Sequence, residues 1–134
     1  MFKFAKVKAE GDMKKILIIE DEKILTEMYK DKFLQAGFEV LLAKDAREGL
    51  EVAKRKKPDL ILLDILLPKE DGVTFLKWFK TDPEISFIPV IAFSNYDDPK
   101  TKKEALELGI KEYLIKSNYT PEEVVQRVKR YLRE

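Results

Sequence analysis

Leu60-Ile61-Leu62-Leu63-Asp64 runs directly into Ile65-Leu66-Leu67-Pro68-Lys69-Glu70-Asp71-Gly72. Four consecutive apolar residues between Pro58 and Pro68 have the length and composition of a strand buried on both faces, as in a parallel sheet covered by helices. Asp64 then falls at the strand's C-terminal edge. In open sheets of this kind, ligands bind in the crevice outside the carboxyl ends of the strands, so a carboxylate there is placed for chemistry.

The flanking sequence repeats the unit. Ile16-Leu17-Ile18-Ile19 is a second short apolar run, closed by Glu20-Asp21-Glu22, and Ile24, Leu25, Met28, Tyr29 and Phe33 form an apolar stripe at helical spacing that Gly37 is placed to end. Asp21 taken alone reads as the N-cap of that helix. Phe38 to Leu42 is a weaker strand. Asp45-Ala46-Arg47-Glu48 has capping-box spacing and opens a helix with Leu50 and Ala53 inward. Beyond Asp64, a helix from about Gly72 buries Val73, Phe75, Leu76 and Phe79, and Asp82-Pro83 ends it. Pro89 to Phe93 is a fourth strand, terminating in Ser94-Asn95. Asp98-Pro99 opens a helix that Gly109 ends. Tyr113-Leu114-Ile115 is a fifth strand, terminating in Lys116-Ser117, and Thr120-Pro121-Glu122-Glu123 opens a last helix with Val124, Val125, Val128, Tyr131 and Leu132 on its apolar face. The expected fold is α/β: a flavodoxin-like, doubly wound, five-stranded parallel sheet in the order 2-1-3-4-5 with five helices. Residues 1–12 read as an N-terminal arm or leader, and 13–134 as one domain.

Composition narrows the chemistry. The chain has 134 residues, with 26 Lys and Arg against 25 Asp and Glu, a balance that gives no footprint for direct nucleic-acid binding. Cysteine and histidine are both absent, which removes thiolate sites, imidazole ligands and Ser-His-Asp or Cys-His machinery. No apolar run or signal-peptide pattern suggests a membrane segment, so a cytoplasmic protein is expected. The remaining tools are carboxylates, hydroxyls, lysines and a bound metal.

Those tools converge. With strands one, three, four and five contiguous, Glu20 and Asp21, Asp64, Ser94 and Lys116 all meet at one crevice. Each alone has an ordinary explanation as a cap, turn or solvated residue; four adjacent strand ends carrying them together do not. Clustered carboxylates stay ionised only with cations among them, and an open oxygen-lined crevice suits Mg²⁺. Asp64 is then placed to attack phosphorus, with Lys116 neutralising charge and Ser94 donating to a phosphoryl oxygen.

These pieces, namely Ile16 to Glu22, Leu62 to Pro68 with Asp71-Gly72, Pro89 to Ser94 and Glu112 to Lys116, resemble the receiver domain of two-component response regulators over Met13 to Glu134. The resemblance implies that Asp64 is the phosphoacceptor and that Glu20 and Asp21, with the backbone carbonyl of Leu66, complete the Mg²⁺ site. It implies that Ser94 is the switch hydroxyl, Tyr113 the aromatic coupled to it, and Lys116 the phosphoryl-contacting lysine. The implied donor is a phosphohistidine on a sensor histidine kinase or a histidine phosphotransfer protein. The implied output is a protein target, or a dimer formed on phosphorylation, at the face of the fourth helix, fifth strand and fifth helix.

Three departures set further expectations. Ser117 stands where the family usually has a cis proline; a cis bond before a non-proline residue costs about 3 kcal/mol, so the sequence leaves cis and trans open here, and a trans bond would place Lys116 differently. Asn95 replaces a small residue and is expected to crowd the phosphoryl site; Leu66 places an apolar side chain near the same water path. The competing functions are a phosphorylation-independent docking module, a phosphohydrolase, which would want a D-x-D on the first strand, and a flavodoxin-like nucleotide binder, which would want clustered glycines where only five are scattered along the chain.

Overall fold

The computed structural model describes residues 13–132, so the expected arm over 1–12 lies outside them. In chain order the elements are β1 (Lys15–Ile19), α1 (Lys23–Gln35), β2 (Glu39–Ala43), α2 (Ala46–Lys56), β3 (Leu60–Leu63), α3 (Gly72–Lys80), β4 (Val90–Ser94), α4 (Pro99–Glu107), β5 (Glu112–Ile115) and α5 (Pro121–Leu132), with a 3₁₀ turn at Lys116–Asn118. The strands form one parallel sheet in the order β2-β1-β3-β4-β5.

The two faces of each strand fill two cores. Leu17, Ile19, Ile61, Leu63 and Ala92 pack with Val52 and Ala53 of α2, Phe75, Leu76 and Phe79 of α3, and Ala105 of α4. Ile16, Ile18, Leu62, Ile91 and Phe93 face Tyr29 and Phe33 of α1 and Val124, Val125 and Val128 of α5. Strands buried on both sides have no polar face to alternate, which is why β1 and β3 read as unbroken apolar runs.

The helix starts follow side-chain chemistry. Asp45, Asp71 and Asp98 each accept from the backbone N–H three residues on, at 2.9, 2.8 and 2.9 Å. Thr120 and Glu123 cap α5 reciprocally, at 3.1 and 2.8 Å. Two local expectations are corrected and a third is extended. Ile24 is 89 % exposed rather than part of the inward stripe; the buried residues of α1 are Thr26, Tyr29 and Phe33. Leu50 packs half-buried against the core and Ala53 is fully buried, and α2 also turns Ala46, Gly49 and Val52 inward; Gly49 lies so close to Ile19 that a Cβ there would meet its Cδ1 at 2.5 Å. Asp21 does not cap α1, whose N-cap is Glu22 without a side-chain hydrogen bond.

The carboxyl ends of β1, β3, β4 and β5 open on one side of the sheet. Ile19 pairs with Leu63, and Ser94 with Ile115, so Glu20, Asp64 and Lys116 leave the sheet at neighbouring heights.

Candidate functional site

Glu20 follows β1 and is buried; its Oε2 accepts from the Glu22 N–H at 3.0 Å. Asp64 follows β3 and is also buried, with Oδ1 accepting from the Leu66 N–H at 3.2 Å. Asp21 is exposed at the rim. One carboxylate oxygen from each of Glu20, Asp21 and Asp64 lies within 4.8 Å of the other two. Repulsion at such separations is large where water is scarce, and a cation is the direct remedy.

Lys116 supplies one. Its Nζ donates to Glu20 Oε1 at 2.5 Å and to Asp64 Oδ2 at 3.1 Å, above the Phe93 ring. Burial by itself would lower the Lys116 pKa, but the two carboxylates outweigh it and hold the ammonium above its ordinary value. Burial pushes Glu20 up, with Asp64 adding to the rise while Lys116 and the Glu22 N–H pull the other way. The Lys116–Ser117 bond is trans, and Lys116 still reaches Asp64.

Ser94 ends β4 fully buried, and its Oγ accepts from the Tyr96 N–H at 3.2 Å. Tyr113 on β5 is half-buried; its hydroxyl donates to the Tyr96 carbonyl at 2.6 Å, and Lys102 of α4 lies 6.0 Å above its ring. Burial, reinforced by Asp64 and Asp97 against an opposing contribution from Ser94, pushes the Tyr113 pKa up to about 12. Both side chains therefore act on the same residue of the β4–α4 loop. The side chain of Leu66 is 54 % exposed beside the crevice.

Two supports lie outside the predicted site residues. Gly72, first residue of α3, sits where a Cβ would come within 2.7 Å of both the Asp64 carbonyl oxygen and the Ile65 Cα, so the helix start presses directly on the backbone that carries Asp64. Thr26 Oγ1 reaches the Glu20 carbonyl at 3.5 Å, tying α1 to the acidic loop. The helix-opening Asp71-Gly72 signals the first; nothing in the local pattern signals the second.

The donor set is all oxygen, which fits a hard divalent cation such as Mg²⁺ held by Glu20, Asp21 and Asp64. An ionised carboxylate beside a cation site and an ammonium is also chemically suited to receive an electrophilic phosphorus.

This order of strands, with helices on both faces, defines a flavodoxin-like α/β protein. The family model for the response regulator receiver domain matches residues 16–129. The chain belongs to this family of two-component receiver domains. It is 37 % identical over 120 residues to the alkaline phosphatase synthesis transcriptional regulatory protein PhoP of Bacillus subtilis, covering 90 % of this chain but 49 % of that protein, so it spans about half of PhoP. It is 31 % identical over 119 residues to the polar-differentiation response regulator DivK of Brucella anthropi, covering 89 % of this chain and 96 % of that one. A putative response regulator from Chloroflexus aurantiacus superposes with a TM-score of 0.82 at 31 % identity, over 91 % of this chain and 99 % of the other.

Proposed function

We propose that this receiver is an active phosphoacceptor in which Asp64 takes a phosphoryl group from a phosphohistidine on a sensor kinase or phosphotransfer protein, with Mg²⁺ bound by Glu20, Asp21, Asp64 and the Leu66 carbonyl. The observation that carries the reading is the Lys116 ammonium bridging Glu20 and Asp64 across the sheet, which supplies positive charge beside the attacking carboxylate. A receiver that had lost its chemistry would have no need to keep this buried arrangement of like charges.

An Asp64 carboxylate oxygen forms the new P–O bond as the bond from phosphorus to the donor's imidazole nitrogen breaks, and the electron pair leaves with the imidazole. Glu20, Asp21 and Asp64 would hold a divalent cation, which would supply positive charge to offset that of the carboxylates and the incoming phosphoryl group. Lys116 follows the developing charge on the phosphoryl oxygens, and the Ser94 hydroxyl turns from Tyr96 to donate to one of them. The product is an acyl phosphate on Asp64, so the chemistry ends on the protein and the domain signals rather than turning over a substrate. These 134 residues contain no histidine, so the donor histidine lies outside them.

Output follows from the loop that Ser94 and Tyr113 share. Phosphorylation adds close to two negative charges and three acceptor oxygens. Withdrawal of Ser94 from the Tyr96 N–H frees the β4–α4 loop and biases the α4–β5–α5 face, where Tyr113, Lys102 and the exposed Leu106 lie, toward a protein target or a second copy. The setting for these exchanges is the cytoplasm; among the described residues no helix is long and apolar enough to cross a membrane.

Intact mass after incubation with a small acyl-phosphate donor tests the proposal. Gain of one phosphoryl group with Mg²⁺, none with EDTA and none in Asp64→Asn is expected. A folded wild type that gains nothing contradicts it and favours the docking module.

A further inference from the structure

Lys116 opens a 3₁₀ turn over Lys116–Asn118, and the first N–H groups of such a turn have no partner within it. One of these orphan donors, the Ser117 N–H, is satisfied from across the crevice: Asn95 Oδ1, in the β4–α4 loop, accepts it at 3.0 Å. The bond therefore joins the residue after the switch serine to the residue after the crevice lysine, 22 positions apart in the chain. Proline at 117 would have no N–H to satisfy, and a small residue at 95 would have no acceptor to offer; Asn95 and Ser117 make sense only together.

We propose that Asn95 is a positioning residue that caps the lysine loop in trans, holding the trans Lys116–Ser117 segment so that Nζ stays on Asp64. This rests on the phosphoacceptor reading of Asp64. It replaces the expectation that Asn95 acts by crowding, since its carboxamide oxygen is engaged with Ser117. It also couples the two loops: movement of the β4–α4 loop with Ser94 pulls directly on the loop that carries Lys116.

A double-mutant cycle on Asn95→Ala and Ser117→Pro, read as the phosphorylation rate with a small acyl-phosphate donor, tests this. Affinity for beryllofluoride with Mg²⁺ and the thermal midpoint are measured on the same four proteins. Both residues are exposed, so folding is expected to survive each change. Asn95→Ala should slow phosphorylation and weaken beryllofluoride binding by about threefold to tenfold, the range of one net hydrogen bond, with little change in midpoint. The same change made in the Ser117→Pro background should have no effect, because the donor is gone. An equal effect in both backgrounds, or none in the wild-type background, overturns the positioning role. Failure of the wild type itself to be phosphorylated would instead overturn the phosphoacceptor reading.

Discussion

Glu20 and Asp64 are both buried and share one ammonium, and Asp21 adds a third carboxylate at the rim. One lysine does not balance three acids, so in the absence of metal the cluster costs stability. Asp64→Asn removes a charge while keeping shape and should raise the metal-free thermal midpoint by about 4 °C, corresponding to about 1 kcal/mol. Added Mg²⁺ should close the gap by stabilising the wild type more than the variant. Thermal unfolding with EDTA and with Mg²⁺ checks this; a variant less stable than wild type in EDTA would mean that Lys116 already offsets the repulsion. At this scale the acids, Ser94 and Lys116 were legible, because strand ends can be read from apolar runs and each run stops at a polar residue. The Asn95–Ser117 bond was not, since it depends on how closely two loops approach, a distance no local pattern encodes.

The caps are the elements' own chemistry, and Asp45 shows how they respond to pH. Its carboxylate accepts from the Glu48 N–H at 2.9 Å, while Lys69 lies 3.6 Å away. The backbone hydrogen bond, with help from Lys69, holds its pKa below the ordinary carboxylate value. A group depressed in the folded state contributes stability above its unfolded pKa, near 3.9, and loses it as pH falls through the folded value. Asp45→Ala should therefore cost about 1 kcal/mol at pH 7, and the difference from wild type should shrink progressively below about pH 4. Denaturant titrations at a series of pH values check both parts; a difference independent of pH would show that the cap works without its charge. Helix starts were legible because capping residues act on their own first turn. Which face turns inward was less so: α2 brings Gly49 onto Ile19, where only a hydrogen fits, and Ile24 of α1 is exposed although it shares the helical spacing of the buried residues.

For the molecule as a whole, strand order was legible from the alternation of strands and helices, since right-handed crossovers leave few ways to cover a parallel sheet on both faces. That order sets the function. It brings Glu20, Asp64, Ser94 and Lys116, contributed by strands far apart in the chain, to one end of the sheet, and it leaves α4, β5 and α5 adjacent on one flank. A charge placed at Asp64 thus lies against Lys116, which also bonds Glu20 and whose loop is bonded to Asn95 in the β4–α4 loop.

All of this depends on phosphorylation falling on Asp64 and nowhere else among 25 acidic residues. Borohydride reduction of the phosphorylated protein converts an acyl phosphate to homoserine, and peptide mass mapping then locates it. Homoserine at position 64 alone is the predicted result. Homoserine at Asp21, Asp71 or any other aspartate, the longer 2-amino-5-hydroxypentanoate at any glutamate, or phosphorylated protein that yields no homoserine at 64, would contradict the account.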